Sequence, residues 1–94
     1  MLRFEWNDKK DASNQRKHRV SFETAARVFR DPMRVTIHDR EVDGEDRWHT
    51  IGMVDGALML LVVHTIEDEE EEIVRIISAR KAIARERRKY EEKI

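Results

Sequence analysis

The stretch Ile73-Val74-Arg75-Ile76-Ile77-Ser78-Ala79-Arg80-Lys81 decides the fold that this 94-residue sequence predicts. Its β-branched first half predicts a buried strand, and its second half predicts the first turn of a helix capped by Ser78. Arg80 and Lys81 would then lie at a helix N-terminus, where free N–H groups and the helix dipole favour an anion such as phosphate. The alternative is that both side chains simply extend into water.

The residues before this stretch predict two helices. A polar helix begins at Asn7 or Asp8 and runs to about Lys17, and it should lie on the surface because it has almost no apolar face. A second helix begins at Ser21 and ends at Asp31-Pro32, since the residue before a proline is pushed out of the helical region. Its apolar side chains recur on one face, so we expect it to cover a sheet.

A β pattern follows, with strands at about 34–38, 47–53, 57–66 and 73–78. The Asp55-Gly56 pair is a strong hairpin turn signal. The last helix would run from about Ala79 to Glu92. We therefore predict a single α+β domain over residues 1–94, with about four antiparallel strands, two N-terminal helices and a C-terminal helix, the helices lying on one face.

Composition narrows the possible functions. The chain has no cysteine, which excludes disulfides and thiolate chemistry and fits a reducing cytoplasm. The N-terminus lacks the apolar run of a signal peptide, and the longest apolar stretch, residues 57–63, is too short to span a bilayer. Residues 1–30 and 79–94 each carry a net charge of +4 around a middle of −9. Two basic ends could together bind a polyanion if they meet in space.

One candidate site combines His64, at the end of the most apolar strand, with Arg75, Arg80 and Lys81. If one face of the sheet is free, these side chains could share it. A histidine can move a proton near neutral pH, and the cations could hold a phosphate and stabilise added negative charge. RNA supplies its own 2′-hydroxyl nucleophile, so such a site needs no metal. The alternative is a structural or merely exposed histidine.

Three other features have two readings each. Lys17 and His18 could contribute the same chemistry, or could simply stabilise a helix C-terminus. The acidic run Glu67–Glu72 could hold a cation, but consecutive glutamates repel one another, and we expect a solvated turn. Trp6 and Trp48 could stack on bases or pack in the sheet.

Seven segments spread in order over nearly the whole chain match one pattern. They are Phe4-Glu5-Trp6, Asn14-x-x-Lys17-His18-x-Val20-Ser21-Phe22-Glu23-x-Ala25, Glu45-x-Arg47, Thr50-Ile51-Gly52, Val62-Val63-His64-Thr65, Arg75-Ile76-Ile77-Ser78-Ala79-Arg80-Lys81-Ala82 and Arg85-x-x-Arg88-x-Tyr90-Glu91. Together they resemble the BrnT toxin family, and the second and sixth segments are the most specific.

This resemblance implies a RelE-like fold and a ribonuclease toxin of a type II toxin–antitoxin pair, which cleaves RNA and stops translation without a cofactor or metal. It also implies neutralisation by a BrnA-like antitoxin, a DNA-binding dimer that would form a hetero-tetramer of two toxins and two antitoxins. The toxin chain alone would bind neither DNA nor a membrane. By position, the resemblance implies catalytic roles for His64, Arg75, Arg80 and Lys81, and RNA binding by Lys17, His18, Arg85, Arg88 and Tyr90.

The sequence departs from the family pattern at two places. Arg19 follows the Lys17-His18 pair where many relatives have glycine, and a left-handed turn tolerates arginine less well. The acidic run Glu67–Glu72 is also longer than the pattern leads us to expect. Two other functions stay open: a nucleic-acid-binding module without catalysis, which predicts steep salt dependence and no cleavage products, and a protein-interaction subunit whose basic helix binds an acidic partner.

Overall fold

The computed structural model describes residues 2–68, 70 and 72–92. Within them the chain forms five strands, three α-helices and one 3₁₀ helix. In order these are β1 (Arg3–Glu5), α1 (Asp8–His18), α2 (Phe22–Ala26), the 3₁₀ helix (Arg27–Arg30), β2 (Val35–Val42), β3 (Glu45–Val54), β4 (Leu58–Asp68), β5 (Ile73–Lys81) and α3 (Ala84–Glu91). The predicted α+β class is therefore confirmed.

The strands form one mixed sheet in the order β1-β5-β4-β3-β2. Strands β2 to β5 make the predicted antiparallel meander, but the expected total of about four strands is wrong, because β1 adds a fifth. Strand β1 pairs parallel with β5, with Phe4 opposite Val74. Local pattern cannot reveal this pairing, because the partner of Phe4 lies seventy residues away in the sequence.

The predicted transition from strand to helix at Ser78 is wrong. Ser78 pairs with Val63 on β4, and the same ladder continues until Lys81 pairs with Leu60. Helix α3 begins only at Ala84. Arg80 and Lys81 are therefore strand residues, because the neighbouring β4 satisfies the backbone that would otherwise have started a helix. They do not lie at a helix N-terminus.

The helices cover both faces of the sheet, so the expectation that they share one face is wrong. On the face covered by α2 and the 3₁₀ helix, which we call the helical face, the core contains Phe22, Val28, Leu60, Val62 and Ile76. The opposite face, which we call the α3 face, has a smaller core of Ile51, Met59, Leu61 and Tyr90. Tyr90, near the end of α3, anchors that helix to the sheet.

Local signals in the sequence place the starts of α1 and α2 and the tight turn between β3 and β4 correctly. The Asn7 side chain accepts hydrogen bonds from Lys9 N and Lys10 N, and Ser21 caps α2 by accepting from Thr24 N. Asp55 and Gly56 both have positive φ in the β3–β4 hairpin. Arg19 also has a left-handed backbone, with φ of 61°, as the comparison with glycine at that position predicted.

Helix α1 lies against the part of β5 that β1 is too short to cover. The Asn14 side chain donates to Ala79 O at 2.9 Å and accepts from Ala79 N at 3.1 Å. It therefore replaces a neighbouring strand at that position. The amide also donates to Val20 O at 2.8 Å, which fixes the connection between α1 and α2.

The acidic run differs from the predicted turn because β4 continues to Asp68. Glu67, Asp68, Glu70 and Glu72 are exposed, as expected for a solvated segment. Glu69 and Glu71 lie outside the described residues.

Candidate active site

A groove lies on the α3 face, between the sheet and helix α3. We call it the α3 groove. Its cavity is about 300 Å³ and is lined by Ile37, His38, Asp39, His49, Ile51, Leu61, Arg80, Arg85, Glu86 and Lys89. The floor is apolar, because Ile51 and Leu61 belong to the core, and the walls carry most of the charge. The groove therefore has an apolar floor and ionisable side chains along its walls.

Arg80 is held in the groove by Glu86 of α3. Its two terminal nitrogens donate to the two Glu86 oxygens, each at 2.8 Å, and Glu86 also accepts from Ile83 N at 3.0 Å. Although burial raises the pKa of Glu86, the bonds from Arg80 and Ile83 lower it below its usual value, and the Glu86 bond raises the pKa of Arg80. Both groups are charged, and the guanidinium has a fixed orientation.

His49 faces the same groove beside a carboxylate. Its Nε2 lies 3.4 Å from Asp39 Oδ2, and each side chain is about 30% exposed. An irregularity in β2 between His38 and Arg40 lets Asp39 reach the ring, because a bulge redirects the extra residue. A carboxylate beside an imidazole orients the ring. His49 is thus placed to move a proton.

Arg85 and Lys89 form the outer wall of the groove. Both are exposed, and they lie one helical turn apart on α3, where like charges destabilise each other by a few tenths of a kcal/mol. An anion in the groove would remove this repulsion. The α3 groove therefore offers a proton-transfer group, one oriented guanidinium and two further cations.

The expectation that His64 shares a pocket with these cations is wrong. His64 lies on the helical face, only 1% exposed, with its ring 5.1 Å from that of Phe29 and its Nε2 2.7 Å from Thr50 Oγ1. Burial lowers the pKa of His64 to about 4, so the ring is neutral at pH 7. His64 and Leu61 lie on opposite sides of β4, and Leu61 lines the groove, so His64 is separated from it.

Arg75 and Lys81 also lie apart from the groove. Arg75 binds the Glu45 carboxylate at 2.6 Å and the Glu67 carboxylate at 3.0 Å. Lys81 follows Arg80 in β5 and is exposed; since successive strand residues point to opposite faces, it points away from the α3 face. Of the four residues predicted to be catalytic, only Arg80 lines the groove.

The five predicted RNA-binding residues are likewise dispersed. Arg85 lines the groove, whereas Arg88 is exposed on α3 without lining it, and Lys17 and His18 lie at the end of α1. Tyr90 is buried, and its hydroxyl donates to Asp31 at 2.7 Å. That bond raises the pKa of Tyr90 to about 12. The structure thus gives Tyr90 a role in anchoring α3.

Sequence reasoning missed His49, Asp39, Glu86 and Lys89 as site residues. Alternation in β3 could have found His49, because it lies two residues from the apolar Ile51 and therefore on the same side of the strand. No local pattern could have paired it with Asp39, since that contact depends on an irregularity in β2.

In the described part of the chain, no group of three or more His, Asp or Glu side chains is arranged to hold a metal ion. None of the described helices is long and apolar enough to cross a membrane.

The fold and the groove define a class: a small α+β protein that presents a cationic, histidine-bearing groove on one face of a five-strand sheet. The family model described as ribonuclease toxin, BrnT, of type II toxin-antitoxin system matches residues 6–86. The chain therefore belongs to this family of ribonuclease toxins. Membership implies an RNA substrate and an antitoxin partner.

A solved structure supports the fold. The chain is similar to the crystal structure of the Brucella abortus ribonuclease toxin, BrnT, with a TM-score of 0.64 and 20% sequence identity over 88% of this chain and 99% of that one. A comparison with proteins of curated function returns no match.

Proposed function

We propose that this protein is a metal-independent endoribonuclease that cleaves RNA in the α3 groove. The observation that carries the proposal is the shared groove of His49, paired with Asp39, and Arg80, fixed by Glu86. The first supplies acid–base chemistry and the second supplies an oriented positive charge, which are the two requirements of metal-free RNA cleavage.

In the proposed reaction the 2′-oxygen of RNA attacks the adjacent phosphorus. His49 removes the 2′-hydroxyl proton as the new P–O bond forms, and Asp39 stabilises the resulting imidazolium. Arg80, with Arg85 and Lys89, stabilises the extra negative charge on the phosphorane-like transition state. The bond from phosphorus to the 5′-oxygen then breaks, and this oxygen takes up a proton from solvent. The products are a 2′,3′-cyclic phosphate and a 5′-hydroxyl.

The experiment is cleavage of RNA by the purified protein in EDTA, with analysis of the product ends. We expect cleavage to persist in chelator, and His49→Ala to lower the rate by about 10²–10⁴-fold, the usual contribution of a general base. Added imidazole should partly restore the His49→Ala rate, which a folding defect would not allow. Full activity of His49→Ala would remove His49 from the mechanism, and RNA binding without products would favour a non-catalytic module.

We propose further that the protein acts in the cytoplasm, where RNA cleavage stops translation, and that a BrnA-like DNA-binding antitoxin neutralises it. Membership of a type II toxin–antitoxin family supports such a partner. The toxin alone should leave operator DNA unshifted. Light scattering on the co-purified complex should give the mass of two toxins and two antitoxins, and the complex should not cleave RNA. A complex that still cleaves would contradict neutralisation.

A further inference from the structure

A second cationic position lies on the α3 face, farther from α3 than the groove. It consists of Arg47 on β3, Thr65 on β4 and Arg75 on β5. Thr65 pairs directly with Arg75, and the β3–β4 ladder ends with Trp48 paired with His64, so Arg47 and Thr65 are the next residues along those two strands. Directly paired residues share a face of the sheet. The three side chains therefore form one row across the sheet.

Two polar atoms in this row are buried without a partner. They are Arg47 Nε and Thr65 Oγ1, and Thr65 is only 2% exposed. Buried donors and hydroxyls in proteins almost always have a hydrogen-bond partner, because leaving one unsatisfied costs about 1–3 kcal/mol. The first of these exceptions belongs to the Arg47 guanidinium, which is half-buried.

Arg47 is also exceptional among the arginines. Five described arginines are half-buried: Arg27, Arg34, Arg47, Arg75 and Arg80. Arg27, Arg75 and Arg80 bind carboxylates, and Arg34 binds a backbone carbonyl. The side chain of Arg47 makes no hydrogen bond or ion pair with any described residue. Glu45 and Glu67, each two residues along the strand from Arg47 or Thr65, are both bound by Arg75.

The position of Arg47 beside the α3 groove indicates which kind of ligand its side chain would bind. Arg47 lies two residues from His49 on the same strand, so their Cα atoms are about 7 Å apart and their side chains share a face. A phosphate bound at Arg47 would therefore be close to, yet distinct from, one held by Arg80. Resting on the proposed function, we infer that the half-buried Arg47 guanidinium binds a phosphate of the RNA next to the one that is cleaved.

The free protein should carry a stability cost at this position, because the guanidinium is half-buried and unpaired. Arg47→Met keeps the apolar stem and removes the unsatisfied donor, so it should raise the melting temperature of the free protein. The same change at Arg30, which is exposed on the 3₁₀ helix, is the matched control and should leave the melting temperature unchanged. Inorganic phosphate should raise the melting temperature of the wild type more than that of Arg47→Met.

The decisive measurement is binding of a 2′-O-methyl RNA, which cannot be cleaved, at several salt concentrations. Arg47→Met should weaken binding about tenfold and lower the slope of log K against log salt by about 1, the effect of one lost phosphate contact. Arg47→Lys, which keeps the charge, should retain the slope, and Arg30→Met should match the wild type. An unchanged slope and affinity in Arg47→Met would overturn the inference.

Because this RNA is not cleaved, the binding result stands apart from the catalytic proposal. A cleavage experiment then tests which phosphate of the RNA Arg47 contacts. The wild type should cleave a longer RNA more efficiently than a dinucleoside monophosphate, which has no neighbouring phosphate, and Arg47→Met should reduce that advantage about tenfold through KM. An undiminished advantage would place the contact elsewhere and contradict the inference.

Discussion

The Asn14 amide offers the sharpest test of how this fold positions Arg80. Its side chain makes three hydrogen bonds to main-chain atoms, two of them to Ala79, the residue before Arg80. Asn14→Ala would leave a buried N–H and two carbonyls without their partner. Each orphaned group costs about 1–3 kcal/mol, and water entering the vacated space offsets part of this. We expect a loss of about 3 kcal/mol in the free energy of unfolding.

The assay is urea denaturation at pH 7, with hydrogen exchange at the Ala79 amide as a local readout. In a domain of this size, about 3 kcal/mol corresponds to a fall in melting temperature of about 12–24 °C. Gln15→Ala, on the exposed side of the same helix, is the control and should cost less than about 0.5 kcal/mol. A loss below about 1 kcal/mol for Asn14→Ala, with unchanged Ala79 protection, would refute the view that Asn14 replaces a missing strand.

Three further predictions follow from single contacts. Tyr90→Phe should cost about 1.5–3 kcal/mol in urea denaturation, because it removes a hydrogen bond to the Asp31 carboxylate; an unchanged midpoint would contradict the anchoring role. His64 has its pKa lowered to about 4, so stability should fall as the pH drops from about 6.5 towards 4, by about 2 kcal/mol at pH 5, and His64→Gln should flatten that dependence if the assignment is right. Arg19→Gly should raise the free energy of unfolding by up to about 1 kcal/mol and so raise the urea midpoint, since glycine tolerates the left-handed backbone; a lower midpoint would show that the arginine side chain compensates.

The sequence predicted those parts of the fold that depend on neighbouring residues. The caps at Asn7 and Ser21 and the Asp55-Gly56 turn are each determined within four residues, and all three are confirmed. Ser78 carries the same kind of capping signal, but pairing with Val63 on β4 extends the strand past it. A local preference of about 1 kcal/mol is outweighed when a neighbouring strand can satisfy the backbone.

The candidate site could be predicted only in part for a similar reason. Strand β4 is apolar on both faces, so its pattern could not show which side α3 would cover. Because α3 covers the face that carries Leu61, His64 is buried on the opposite, helical face, whereas His49 faces the groove. The chemical class of the site, cations with a histidine, was predicted from composition and resemblance. The residues that form the site could not be predicted, because they come together only when distant strands pair.

The parallel pairing of β1 with β5 has a consequence for synthesis on the ribosome. The first strand is made some seventy residues before its partner, and Arg85 and Lys89 of α3 are translated only after all five strands. No nascent fragment can contain an assembled groove. The residues that line the groove can therefore come together only after helix α3 has been synthesised.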